Sequence, residues 1–162
     1  MAMTISTEGM AELGAMLARL GDKAQDVASG ALFDGAGVVG DAFTSAINGI
    51  RTEKFKYAPP GKSRLPSPEE KAALVGKSGI AKFDKNGDDV NTIIGISGAA
   101  GYAEVAGKPK AVRLIARSIN SGTSFMNKQP VYRKAKSSSS GAAKAAIVSK
   151  AEEMFNEIIG GK

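Results

Sequence analysis

Apolar positions recur at three- and four-residue steps at the two ends of the chain and alternate singly in the middle. Near the start, Met10, Leu13, Met16, Leu17 and Leu20 give one apolar face, which predicts a short helix over residues 8–20. Thr7 suits its N-cap, and Gly21 suits the position just past its end. A second, longer helix is predicted from Asp22 to about Arg51, with Val27, Ala31, Leu32, Val38, Val39, Ala42, Phe43, Ala46, Ile47 and Ile50 at helical spacing. It contains Gly30, Gly35, Gly37 and Gly40. Each interior glycine costs roughly 1 kcal/mol relative to alanine. Four of them imply close approach by another backbone, from the same or a neighbouring subunit, or else a break near Gly35–Gly37.

Residues 57–68 read as a loop, because Pro59, Pro60, Pro66 and Pro68 exclude helix and central strand. Ser67-Pro68-Glu69-Glu70 then offers an N-cap, a proline at the first helical position and an acidic first turn, so a short helix through about Lys77 is expected. From Ile80 to Ile96 the period falls to two. Val90, Thr92, Ile94 and Ile96 share a face, and Asn86-Gly87 marks a hairpin turn. Residues 111–119 suit strand or helix. Their β-branched content and length favour a strand. Residues 137–141, four serines and a glycine, read as a low-complexity break. A last helix follows over 142–159, with Ile147, Ala151, Met154, Phe155 and Ile158 as its stripe and Gly160-Gly161 as its stop.

Helices, then strands, then a helix imply an α+β fold: a small antiparallel sheet with N-terminal helices, one of them long, and a C-terminal helix packed on one face. The 162 residues are expected to form a single domain over 1–162. Its parts are a helical region 8–51, a Pro-rich loop 57–68, a sheet region 80–135 and the C-terminal helix 142–159.

Composition removes many chemistries. The chain has no Cys, which excludes disulfides, thiolate nucleophiles and sulfur-ligated metals; it has no His, which excludes a Ser–His–Asp triad and imidazole ligands. Zero Cys fits assembly in a reducing cytoplasm. Glu8, Glu12 and Arg19 interrupt the start of the chain, so no signal peptide is read there, and no apolar run approaches the ~18 residues of a membrane span.

The net charge of +6 is unevenly spread. Residues 1–50 hold two basic and six acidic side chains, whereas residues 51–162 hold twenty basic and ten acidic. Within 108–136 there are eight cations and no acid: Lys108, Lys110, Arg113, Arg117, Lys128, Arg133, Lys134 and Lys136. Three readings fit: contact with nucleic acid, a head-to-tail oligomer in which acidic and basic parts meet, or a solvated face.

No motif adds catalysis. Asp84-Lys85-Asn86-Gly87-Asp88-Asp89 lacks the glycine and glutamate of a calcium loop at the sixth and twelfth positions, where Asp89 and Gly95 stand. It reads as a turn. Gly76-Lys77-Ser78 lacks the upstream glycine and strand of a phosphate-binding loop. Glu104 is the only acid between 90 and 151, so paired-carboxylate catalysis has no partners there. An enzyme using Lys or Ser has no visible cluster of titratable groups to support it. No catalytic residue, metal or cofactor is expected.

Three segments carry a resemblance to a known family. They are Gly9-Met10-Ala11-Glu12-Leu13 through Leu20-Gly21-Asp22-Lys23-Ala24 with Ala31-Leu32 and Gly35-Ala36; the Pro-rich stretch around Pro59 and Gly61; and Asn120-Ser121-Gly122-Thr123-Ser124, Met126, then Gln129-Pro130-Val131-Tyr132-Arg133-Lys134-Ala135. In order and spacing the chain resembles the tail-completion or head–tail joining (neck) proteins of long-tailed phages with non-contractile tails. The family usually reads Glu-Phe-Gly-Thr and then Pro-Ala-Gln-Pro-Phe-Leu-Arg-Pro-Ala over the third segment. Here Asn120, Asn127-Lys128, Val131-Tyr132 and Lys134 depart from that pattern.

The resemblance implies a virion structural protein that forms a ring, commonly a hexamer and sometimes a dodecamer. Its partners would be copies of itself, the tail terminator or tail tube, and the head-closure or connector proteins. Genomic DNA would pass through the lumen without sequence-specific binding. The positions expected to matter at subunit or ring–ring contacts are Arg113, Arg117, Gly122, Thr123, Gln129, Pro130 and Arg133. The competing expectation is a basic nucleic-acid-binding module. The scarcity of aromatics in the cationic stretch, Phe125 and Tyr132 alone, speaks against it.

Overall fold

The structure is a computed structural model describing residues 10–54, 61–81, 84–86, 89–96 and 100–160. The expected cap Thr7, the start at Glu8, the loop residues Tyr57, Ala58, Pro59 and Pro60, the strand positions Lys82 and Phe83, the turn residue Gly87 and the stop at Gly161 lie outside the described residues.

The two predicted N-terminal helices are one. Helix α1 runs unbroken over Met10–Asn48, 39 residues, or about 58 Å at 1.5 Å per residue. Gly21 does not end it: a Cβ there would meet nothing within 4 Å, so the position is open. One exposed glycine costs only about 1 kcal/mol, too little to stop a helix that continues on both sides. Nor does the chain break at Gly35–Gly37.

The C-terminal helix is longer than predicted. Helix α4 spans Val131–Gly160 and passes through the serine run and Gly141. The hydroxyls of Ser137, Ser138 and Ser139 donate to the carbonyls of Lys134, Ala135 and Ala135 at 3.1, 3.1 and 2.8 Å. Those bonds satisfy the serines within the helix, so they do not need a loop.

Helices α1 and α4 lie antiparallel. The Phe43 and Tyr132 rings meet with centroids 4.8 Å apart, and farther along Gly35 faces Ile147 and Gly30 faces Met154. The seam is built from small groups. Ala135, Ser139 and Ala143 recur at four-residue steps and are buried. A Cβ on Gly35 would come within 2.7 Å of Ile147 Cδ1 and 3.2 Å of the Ala143 carbonyl oxygen, and one on Gly30 within 2.6 Å of Met154 Sδ. Close approach by a second backbone is therefore seen at Gly35, whereas Gly30 meets the end of the Met154 side chain; both neighbours belong to a helix of the same chain. Gly37 has open space instead.

Between these helices the chain builds small elements. Helix α2, Pro68–Ala72, begins as expected. Ser67 accepts from the Glu70 amide, and Glu70 accepts from the Ser67 amide, in a reciprocal capping box. It is shorter than predicted, giving way to turns that lead to Gly76 at φ 71°. Strands β1 (Ser78–Ile80), β2 (Asp84–Asn86), β3 (Asp89–Asn91) and β4 (Ile94–Ile96) form the hairpin signalled by Asn-Gly, with β1 against β4 and β2 against β3. Three residues separate the two ladders on the first arm and two on the second, so the register shifts by one.

A second hairpin was not anticipated. Strands β5 (Tyr102–Val105) and β6 (Lys108–Ala111) are joined through Ala106 and Gly107, both at positive φ (54° and 72°). That is the backbone a two-residue turn between twisted strands requires.

Residues 111–119, read as a strand, form a helix. Helix α3 is Val112–Ser121, and it buries Val112, Ile115, Ala116 and Ile119. That i, i+3, i+4, i+7 pattern outweighs β-branched content, because one continuous stripe enters the core. The predicted sheet region 80–135 accordingly ends its strands at Ala111.

The fold is α+β, with its antiparallel strands in two-stranded ladders. The core sits where the C-terminal end of α1, the first turn of α4, α2, α3 and β5 converge. It includes Phe43, Ile47, Ile50, Leu74, Val105, Val112, Ile119 and Val131. Among the described residues no helix is long and apolar enough to cross a membrane.

Candidate interaction surface

Two loops singled out from the sequence come together. The Arg64 amide donates to the Phe125 carbonyl at 2.9 Å, and the Asn127 amide donates to the Arg64 carbonyl at 2.8 Å. The second half of the Pro-rich stretch is thereby laid against the turn after α3. Gly122 leaves α3 at φ 75°, a backbone region that favours glycine. A Cβ there would also sit 3.1 Å from the Lys128 amide nitrogen. Thr123 and Met126 exchange amide–carbonyl bonds of 3.0 and 3.3 Å, and Thr123 Oγ1 accepts from the Phe125 amide at 3.2 Å.

Gln129 turns inward. Its amide oxygen accepts from the Arg51 N–H at 2.9 Å, its Nε2 donates to the Arg51 carbonyl at 2.7 Å, and its own N–H donates to the Ile119 carbonyl at 2.8 Å. It is buried and clasps the exit of α1 to the loop between α3 and α4. Pro130 is half-buried, and its carbonyl accepts from the Lys134 amide at 3.0 Å, starting α4. Gly122, Thr123, Gln129 and Pro130 therefore shape the loop. Arg113, Arg117 and Arg133 are exposed, the first two one turn apart on α3.

Sequence reasoning missed the charged centre beneath this loop. Glu70 is 3% exposed and takes both nitrogens of Arg64, Nη1 at 2.7 Å and Nη2 at 2.8 Å. Lys110 Nζ lies 3.7 Å from its Oε1, and the Ser67 amide donates to its Oε2 at 2.9 Å. Burial pushes the Glu70 carboxyl up. The Arg64 and Ser67 hydrogen bonds, with the charges of Arg64 and Lys110, outweigh that and hold it below its ordinary value. The Arg64 guanidinium is in turn raised, chiefly by its hydrogen bonds to Glu70. The capping box signalled Glu70 as a helix residue, but nothing local ties it to Lys110.

Above this centre lies an open groove of about 420 Å³, with Tyr102, Pro109, Arg113, Leu114, Ser118 and Met126 on its walls and Glu70 at its floor. Tyr102 is 76% exposed and Leu114 56% exposed. Phe125, beside Met126 in sequence, is 72% exposed. Exposed apolar groups therefore stand beside cations on this open surface. Among the described residues no group of three acidic side chains is placed to hold a metal ion.

The acidic half of the sequence has its own exposed ridge. Asp26, Asp34 and Asp41 project from α1 at steps of eight and seven residues. Asp34 lies near enough to Lys150 of α4 to help raise that amine, after the larger effect of the Glu153 hydrogen bond. The sequence matches no family model, no curated protein and no solved structure.

Proposed function

We propose that this chain is a virion structural protein of a long-tailed phage with a non-contractile tail, one that forms a ring at the head–tail interface and joins the tail tube to the head connector. The observation that carries this reading is the separation of charge onto two exposed surfaces. Asp26, Asp34 and Asp41 line α1, while Arg113, Arg117, Lys128, Arg133, Lys134 and Lys136 gather around α3 and the start of α4. Among the described residues the ion pairs are Arg64–Glu70, Lys110–Glu70 and Lys150–Glu153. Asp34 acts on Lys150 within the chain, whereas Asp26, Asp41 and the cations of α3 and early α4 enter none of these pairs.

Two unlike, complementary surfaces on one chain support head-to-tail contacts, which close into a ring when the rotation between copies divides a full turn. The work is binding, without catalysis. DNA passes through such a lumen best when the wall does not grip it, so the cations serve protein neighbours.

Electron microscopy and sedimentation of the purified chain, with detection of the protein in particles made by its own genome, test this. Rings with closed symmetry, or the protein at the neck of intact particles, are expected. A chain that stays monomeric with its genomic neighbours present and is missing from particles overturns the reading.

A nucleic-acid-binding module remains the competing reading, favoured by Tyr102, which adds an exposed ring to the cationic surface. Tight DNA binding at physiological salt, with log affinity falling steeply against log salt, would select it.

A further inference from the structure

The last turns of α4 carry an apolar stripe besides the one that faces α1. On the seam, Ile147 meets Gly35 and Met154 meets Gly30. One residue on from Ile147 the helix has turned by about 100°, and there Val148, Phe155 and Ile159 recur at helical spacing. Val148 is 55% exposed, Phe155 is 38% exposed and Ile159 is half-buried.

This outer stripe is acidic. Exposed Glu152 lies between Val148 and Phe155, with exposed Glu153 beside it. Glu157 stands nearer the seam, where it lines a furrow with Lys23. The one cation between 148 and 160, Lys150, already pairs with Glu153 at 3.0 Å. The last turn of α4 holds no basic residue, so the negative end of the helix dipole adds to the carboxylates.

The groove over α3 and β6 is the complement. Its walls offer exposed Leu114 and Tyr102 with Met126 behind them, and Lys110 and Arg113 line it. Arg117 follows one turn farther along α3. Its one acid, Glu70, is paired with Arg64 and Lys110, while Arg113 and Arg117 enter no ion pair among the described residues. An acidic helix end with an apolar stripe fits such a groove by burying the stripe while its carboxylates face the rim cations.

One copy cannot bring these two surfaces together. The Tyr132 amide donates to Asn120 Oδ1 at 3.2 Å, which ties the start of α4 to the end of α3. Phe155 stands about 35 Å farther along the unbroken α4, at 1.5 Å per residue. Helix α3 has 10 residues, about 15 Å, and is too short to span that gap.

We infer that the C-terminal end of α4 from one copy seats in the α3–β6 groove of the next, with Phe155 against Leu114 and Tyr102 and Glu152 toward Arg113 and Arg117. The inference rests on the ring reading and names the contact that would build it. The contact is heterologous, so each copy both gives and receives.

The chain has no cysteine, which makes the contact directly testable. Two single variants, Ser118→Cys in the groove and Asn156→Cys beside Phe155, are mixed under mild oxidation. A control mixture pairs Ser118→Cys with Ser140→Cys, an exposed site farther back on α4. The expected result is that the 118–156 mixed disulfide forms about tenfold faster than the 118–140 one, reflecting a raised effective concentration. Adding Arg113→Glu to the groove chain should slow it, and adding Glu152→Arg to the other chain should restore it. Equal rates for the two mixtures, or a dominant 156–156 disulfide, overturn the inference. Equal rates together with loss of DNA-duplex binding in Arg113→Glu would give the groove to nucleic acid instead. Sedimentation of the unmodified chain separates the remaining failures: a ring without the 118–156 bond sinks only the contact, whereas a chain that never self-associates sinks the ring reading as well.

Discussion

The base of the molecule and its two-helix arm are held together by opposite means. In the base, large side chains far apart in sequence close on one another: Ile47 from α1, Leu74 after α2, Val105 from β5 and Ile119 from α3 are each at most 2% exposed. Polar clasps lock the margins. Gln129 holds Arg51, Lys71 Nζ donates to the last-turn carbonyl of Asn48 at 2.7 Å, and Glu69 Oε2 accepts from the Ala106 amide at 2.7 Å. In the arm, a seam of Gly, Ala and Ser brings two backbones close, and Phe33, Val148 and Phe155 stay 59%, 55% and 38% exposed. A closed core keeps its shape alone. A two-helix seam holds direction and leaves its flanks for contact.

The largest test of that contrast is at the base. Glu70→Ala removes the buried carboxylate that pairs with Arg64 and Lys110, leaving Glu53 as the acid that still acts on Arg64, with an expected cost of about 3 kcal/mol in denaturant unfolding. The same variant should flatten the acid limb of stability. The wild-type carboxyl lies below its ordinary value when folded, so its contribution is present above the usual carboxylate range and fades as pH falls through the lowered value. Unfolding midpoints measured from neutral pH downward would show wild type and variant converging.

Gln129→Ala should come next, at about 1–3 kcal/mol, because it leaves both peptide groups of Arg51 without their partner. If Gln129 were mainly an intermolecular contact, the isolated chain would lose almost nothing. In the arm, Gly35→Ala should be destabilising by about 1 kcal/mol net, since crowding against Ile147 and Ala143 exceeds the gain in helix propensity. Gly37→Ala, two positions on, has open space around it and should stabilise by up to about 1 kcal/mol. Opposite signs at the two glycines would confirm the seam. Matching signs would break the comparison. The mildest check is hydrogen exchange, in which amides of α1 near Val27 should exchange faster than those of α3.

How much of this was legible follows from the range of each interaction. The capping box at Ser67 and the hairpin at Asn86 are settled within a few residues, and both were readable. The α3 stripe at Val112, Ile115, Ala116 and Ile119 was also written in the sequence. β-branched content concealed it, and only the core decides between the two periods. The serine run looked like a linker because seam geometry is tertiary. Ser139 is buried, with its hydroxyl turned back to the Ala135 carbonyl within the helix. At the candidate surface, the exposed arginines were legible as unbalanced charge. The inward role of Gln129 and the pairing of Glu70 with Arg64 and Lys110 were not, since each depends on loops meeting across the fold.

The antiparallel seam between the first and last helices also sets an order of events during folding. Ala31 and Ala143 are both buried on the paired helices yet lie on the order of a hundred residues apart, so closing the seam carries the loop entropy of about two thirds of the chain. Rich in helix though it is, the molecule should refold more slowly than a bundle of sequence neighbours. The base should condense first and present Tyr132 to Phe43, after which the arm zips outward from that point.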